Sequence, residues 1–237
     1  MSEWPDGLIV DLERIDARVS AYDWAFSRDR RAEIDAYWLN RLAGNSGIFN
    51  GRVLMQHAAS MKDGVLTASY FETAYSDFLA WLQMGVPGLS PRNGFAMAAL
   101  RANDGAFLLG QMAQDTANPG RVYFAAGTPD PGDVTATGEV DLAGSVLREL
   151  TEETGLRADE VKVGAGWKAV FAEKRIAFMR PVTIDMPAEA ARTMMLERMK
   201  NLHEEELSGI VIIRSMADCT QHDMPPFMID YLRHMLA

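Results

Sequence analysis

The sequence predicts an α/β fold, a mixed sheet with helices on both faces. Apolar runs of strand length alternate with segments of helical periodicity along the chain. Two pairs of runs flank Asp-Gly turns, at Asp63-Gly64 and Asp104-Gly105, a signature of antiparallel hairpins. The intervening helices do not recur at regular βαβ spacing, which points to a mixed rather than a wholly parallel sheet.

The elements follow in order. Residues 27 to 42 read as a helix, with Ser27 as N-cap and Ile34, Trp38 and Leu42 on one face. Gly44-Asn45-Ser46-Gly47 breaks it. Residues 52 to 60 and 65 to 71 read as the strands of the first hairpin, and 72 to 83 as a second helix. The Gly- and Pro-rich connection at 85–91 divides an N-terminal α+β extension, residues 1–90, from a main domain, 91–237. There the second hairpin takes residues 94 to 101 and 106 to 112, and a third strand takes 121 to 126. A helix over 141 to 154 leads to strands at 161 to 172 and 174 to 183. A helix at 187 to 201 carries the apolar stripe Met194, Met195 and Met199, which reads as core packing. Residues 209 to 214 form a buried strand. Pro225-Pro226 opens a last helix to 236, with proline at its permitted first turn.

Composition narrows the class. At 237 residues the chain has room for one large domain or a domain with an extension. The net charge of −10, without a Lys- or Arg-rich run, disfavours a nucleic-acid or anionic-membrane surface. One cysteine, Cys219, excludes an internal disulfide and fits a reducing, cytoplasmic setting. No run of 18 apolar residues suggests a membrane span, and the N-terminus lacks the pattern of a signal peptide.

The chemistry concentrates in Arg148-Glu149-Leu150-Thr151-Glu152-Glu153-Thr154-Gly155-Leu156. On a helix, positions i, i+3 and i+4 share a face, so Glu149, Glu152 and Glu153 stand together. Like charges repel at that spacing, and carboxylate oxygens suit a hard divalent cation such as Mg²⁺. Arg148 lies four residues before Glu152 and can brace it. Gly155 supplies a left-handed stop.

This stretch resembles the second half of the Nudix box, R-E-U-x-E-E-x-G-U with U aliphatic, at every specified position. The resemblance implies an α/β/α sandwich, diphosphate hydrolysis and Mg²⁺, with Mn²⁺ as a substitute. It implies Glu149, Glu152 and Glu153 as metal ligands, with Glu152, Glu153 and Arg148 as the catalytic residues. The family begins the box with Gly, five residues, Glu, seven residues and Arg. Here Gly138-Glu139 matches the Gly-Glu pair, one residue too far from Arg148, and Gly127 matches the opening glycine. Glu139 is therefore a candidate ligand or base. So is the Glu204-Glu205-Glu206 run, chiefly Glu204 and Glu205, because the family often takes a base from a loop outside the box. Lys174 and Arg175, and more weakly Arg121, could offset the charge of a diphosphate.

The region ahead of the box is similar to the Nudix branch that hydrolyses UDP-glucose and UDP-galactose. The match runs through Trp38-x-x-Arg41-x-x-x-Asn45, Phe49-Asn50-Gly51, Tyr70, Tyr75, Asp77 and Phe78, with Ser46 where the branch has Pro. It implies a nucleoside diphosphate substrate, first a UDP-sugar, and, from family habit, a homodimer. ADP-ribose, NADH or coenzyme A is the alternative substrate. A catalytically silent nucleotide- or protein-binding module is the alternative of another class.

Overall fold

A computed structural model of the chain describes all residues except 1–3, 45–47, 86–90, 117, 173 and 203–205. In chain order the elements are β1 (Ile9–Leu12), β2 (Arg14–Val19), α1 (Ala25–Asp29), α2 (Arg31–Gly44), β3 (Arg52–Lys62), β4 (Val65–Ala74) and α3 (Tyr75–Met84). Then come β5 (Asn93–Ala102), β6 (Phe107–Met112), β7 (Val122–Tyr123), β8 (Ala126–Gly127), α4 (Leu142–Thr154), β9 (Val161–Val163), β10 (Trp167–Ala172) and β11 (Arg175–Ile184). The chain closes with α5 (Ala188–Met199), β12 (Leu207–Ile213), α6 (Met216–Cys219) and α7 (Pro226–Met235).

The fold class is the predicted one. Among the described residues, nine strands form a mixed sheet whose central path runs β1-β10-β11-β5-β6-β12. Strands β11 and β5 pair in parallel and the other pairs are antiparallel. Strand β5 is apolar on both faces because both are covered. Its Ala96, Ala98 and Leu100 pack in a core shared with Leu142, Val146 and Leu150 of α4 and with Ala188, Ala191 and Met195 of α5. Its Phe95, Met97 and Ala99 pack on Phe227, Met228, Tyr231 and Leu232 of α7. This is an α/β/α sandwich.

Strands β2, β4 and β3 form a second, three-stranded sheet. Their hairpin turns through Asp63 and Gly64, both at positive φ, as the Asp-Gly pair predicted. A separate core of Trp24, Phe26, Ile34, Met55, Phe71, Phe78 and Trp81 joins this sheet to α1–α3. Asp77 fixes the arrangement: it accepts from Ser27 Oγ, from Thr73 Oγ1 at 3.1 Å and from Arg31 Nη1 at 2.9 Å.

Several expectations change in detail. The helix predicted at 27–42 is two helices, and Ser27 lies inside α1 instead of capping it. The strand predicted at 121–126 is two short strands, because the chain leaves β6 and moves onto β5. The strand predicted at 161–172 breaks into β9 and β10 around Gly166, at φ +66. Strand β1, four residues long, and strand β2, which alternates charged and apolar residues, were not predicted. Strand β1 belongs to the large sheet, paired with β10. The breaker at 44–47 and the boundary at 85–91 fall mostly outside the described residues.

Candidate active site

Helix α4 positions the acidic row. The Asp141 side chain accepts from Gly144 N at 2.8 Å and caps the helix. Leu142, Val146 and Leu150 bury its apolar stripe, and Gly155 closes it at φ +72. That registration turns Glu149 and Glu153 toward β8 and leaves Glu152 exposed.

Glu153 is 4% exposed, and Ala126 N donates to its Oε1 at 3.1 Å. Its other oxygen, Oε2, is buried with no partner. Burial pushes its carboxyl well above the usual range, and Glu149, Glu206 and Glu152 push the same way. Glu149 lies against Gly127, where any side chain would overlap its carboxylate. Burial, helped by Glu152, Glu206 and Asp133 and opposed by Arg148, lifts Glu149 to about 7. The matched opening glycine thus has a physical role: it makes room for the first carboxylate of the row.

Arg148 gathers the remaining charges. Its Nη1 lies 2.9 Å from Glu149 Oε1 and 3.1 Å from Glu152 Oε2. Its Nη2 donates to Asp133 Oδ1 at 2.9 Å. Asp133 was not singled out from the sequence, although a signal for it existed. Counting the family's five residues on from Gly127 lands on Asp133, with Asp in place of Glu. Among the described residues, no three His, Cys, Asp or Glu side chains stand close enough to grip a metal as they are. The donor chemistry nonetheless suits a hard divalent cation: carboxylate oxygens in a row, one of them buried and unsatisfied.

The other predicted residues are distributed unevenly. Glu139 is exposed and accepts from Arg18 Nη2 at 2.6 Å, so it joins β2 instead of the acidic row. Lys174 Nζ donates to Leu82 O at 3.4 Å and sits 5.3 Å from the Trp81 ring centroid. Arg175 and Arg121 line a cavity of about 310 Å³ that ends at Ala126 and Gly127, beside the carboxylates. Glu204 and Glu205 lie outside the described residues. Their neighbour Glu206 is described, and its charge acts on both Glu149 and Glu153. No helix among the described residues is long and apolar enough to cross a membrane.

Residues 91–206 match the NUDIX domain family. No curated protein matches the sequence. Among solved structures, the chain is similar to a Nudix hydrolase from M. smegmatis, RenU, with 16% identity and a TM-score of 0.41 over 61% of this chain and 83% of that one. It is similar to an Ap4A hydrolase from C. elegans, with 15% identity and a TM-score of 0.41 over 60% and 92%. It is also similar to the NUDIX domain of NrtR from Shewanella oneidensis, crystallised with ADP ribose, with 15% identity and a TM-score of 0.40 over 70% and 100%. The NUDIX match covers a little under half of the chain, from just before β5 to the residue before β12.

Proposed function

We propose that the protein hydrolyses a nucleoside diphosphate linked to a second group, in a Mg²⁺-dependent reaction. A UDP-sugar is the first substrate, giving UMP and a sugar 1-phosphate. The observation that carries this reading is the buried, unpartnered Glu153 Oε2, its carboxylate held with Glu149 against Ala126 and Gly127, where a cavity lined by aromatic rings and arginines ends.

In this reading Glu149, Glu152 and Glu153 would hold Mg²⁺, which when bound neutralises charge on the phosphoryl oxygens. Water attacks one phosphorus, the bridging P–O bond breaks, and the leaving phosphate departs with its electron pair. Arg148 keeps Glu149 and Glu152 in place, itself tethered by Asp133. A carboxylate of the 204–206 run takes the proton from water; Glu206 is favoured because its charge already bears on Glu149 and Glu153. Arg175, with Lys174 behind it, offsets charge on the diphosphate. The substrate half outside the diphosphate enters the cavity, so specificity resides there. The reading includes a cytoplasmic homodimer acting on small molecules.

The test is product analysis with purified protein, Mg²⁺ and a panel of UDP-glucose, UDP-galactose, ADP-ribose, NADH and coenzyme A. Glu152→Gln and Glu153→Gln are run beside the wild type. Turnover of a UDP-sugar that disappears in both variants supports the reading. Preference for ADP-ribose, NADH or coenzyme A replaces the substrate, and no turnover of any compound sinks the reading.

A further inference from the structure

We infer that strand β12 is the interface of a homodimer, in which it pairs antiparallel with the β12 of a second copy across a two-fold axis. The two large sheets then run on as one. This pairing gives a face to the homodimer of the proposed reading and does not depend on the reaction.

The backbone edge of β12 is open. The strand ends the path of the large sheet, and among the described residues it pairs with β6 alone. A groove of about 590 Å³ runs along it, lined by Ser208, Gly209, Ile210, Val211 and Ile212. Side chains on a strand alternate between faces, so five consecutive residues share only their backbone edge. The groove floor is therefore a row of main-chain N–H and C=O groups, and those of alternate residues face away from β6. Such a row is a template for one more strand.

This edge also lacks the usual defences. Proteins blunt an edge strand by keeping it short or by placing charge on it. Strand β1, at the other end of the sheet, has four residues and carries Asp11. In the small sheet, β2 carries Arg14, Asp16 and Arg18, and β3 opens on Arg52 and closes on Lys62. Strand β12 has seven residues, Leu-Ser-Gly-Ile-Val-Ile-Ile, and no charge. A bulge between Leu207 and Gly209 leaves residues 209 to 213 as a regular ladder. An apolar, uncharged edge of this length invites aggregation when bare, so it calls for a cover that is always at hand. A second copy of the chain meets that condition.

Charge selects the same occupant and its direction. The chain enters β12 through Glu204-Glu205-Glu206 and leaves it through Arg214. Antiparallel pairing sets the acidic start of one strand beside the basic end of the other, whereas parallel pairing sets acid beside acid. The groove flanks carry Glu189, Arg192, Arg214 and Asp218, two acids and two bases, so two copies meet there without net repulsion.

The experiment is sedimentation velocity on wild type, Val211→Lys and Ile212→Lys, over about a hundredfold range of protein concentration. Val211 and Ile212 pack on opposite faces of the sheet. Both are partly exposed, so a lysine there can keep its ammonium in water and leave the monomer folded. Wild type should sediment at twice the 26.2 kDa of one chain. Each lysine should weaken the dimer roughly tenfold or more, with the circular dichroism of the wild type retained, while Val211→Thr stays dimeric. If the lysine variants fail to fold, hydrogen exchange on wild type decides: amides of residues 207 to 213 should exchange more slowly in concentrated than in dilute protein. A wild type that stays monomeric across the range overturns the interface. So does a dimer that survives both lysines, or one whose 207–213 amides exchange equally fast at both concentrations. Mass and exchange are read without substrate, so either result leaves the catalytic reading to its own test.

Discussion

Arg148 on α4 is tied to Asp133, fifteen residues earlier, by a 2.9 Å ion pair in which the Asp133 side chain is only 4% exposed. The same guanidinium reaches Glu149 and Glu152. The tether therefore runs from the 3-10 turn at Pro131–Asp133, through Arg148, to two carboxylates of the acidic row.

Asp133→Ala removes that tether without touching the row. The other Asp133 oxygen accepts from Asp130 N at 3.1 Å, so the turn loosens too. Stability should fall by about 1–2 kcal/mol. The turnover number should fall roughly 10- to 100-fold, the usual cost of losing a partner that orients a ligand. Glu139→Gln serves as the contrast, since Glu139 pairs with Arg18 instead. Urea denaturation and steady-state rates for both variants check this. Equal losses in the two would refute the role given to Asp133.

Gly127→Ala probes the close approach of β8 to Glu149. An added methyl would overlap the Glu149 carboxylate, the far end of a flexible side chain. The fold can absorb that by turning the side chain, but the acidic row cannot. Turnover should drop on the order of 100-fold, the scale of an ångström-sized misplacement. The melting temperature should move by only a few degrees, read by circular dichroism.

The metal-free protein should lose stability as pH rises. Glu149 is lifted to about 7 and Glu153 is raised as well, chiefly by burial. A carboxyl with a raised folded pKa keeps its proton in the native state while the unfolded chain gives its proton up. Its contribution is complete below the unfolded value, about 4.3, and is lost as pH climbs through the folded one. Urea midpoints in EDTA should decline between pH 5 and pH 7, by roughly 2–3 kcal/mol for Glu149. Glu149→Gln should flatten the decline. Saturating Mg²⁺ should reverse it and raise the melting temperature, because a ligand of the native state stabilises by mass action. A wild-type profile that rises with pH in EDTA would count against the burial argument.

How much of this was legible in sequence depends on range. Helix α4 was read almost to its ends because its signals are local: Asp141 before it, Gly155 after it, and carboxylates at i, i+3 and i+4 between. The two hairpins were legible for the same reason. Strand β1 was missed because it is only four residues long, and β2 because it carries Arg14, Asp16 and Arg18. Asp11 pairs with Lys168 and Arg18 with Glu139, partners more than a hundred residues away. The split of 121–126 records a change of neighbouring strand, which local pattern cannot show. Arg41 of α2 and Asn93 of β5 line one cavity although 51 residues separate them, a proximity that local pattern does not show.

The far end of α4 offers a last prediction. Arg198 on α5 donates from Nη1 to Gly155 O at 2.9 Å and pairs with both Glu160 oxygens, at 2.6 and 2.7 Å. Arg198, together with a bond from Arg157 N, holds Glu160 down to about 2. A depressed carboxylate stabilises the native state above the unfolded value, about 4.3, and that contribution fades as pH falls toward the folded value. Glu160→Gln should therefore cost about 1 kcal/mol at pH 7, a modest figure for a pair that water still reaches. The gap from wild type should shrink steadily between pH 5 and pH 3 in urea titrations. Turnover should change little, because the clamp grips the helix end beyond Glu153 and leaves the carboxylate row in place. A gap that stays constant with pH would mean that Glu160 acts through packing instead of charge.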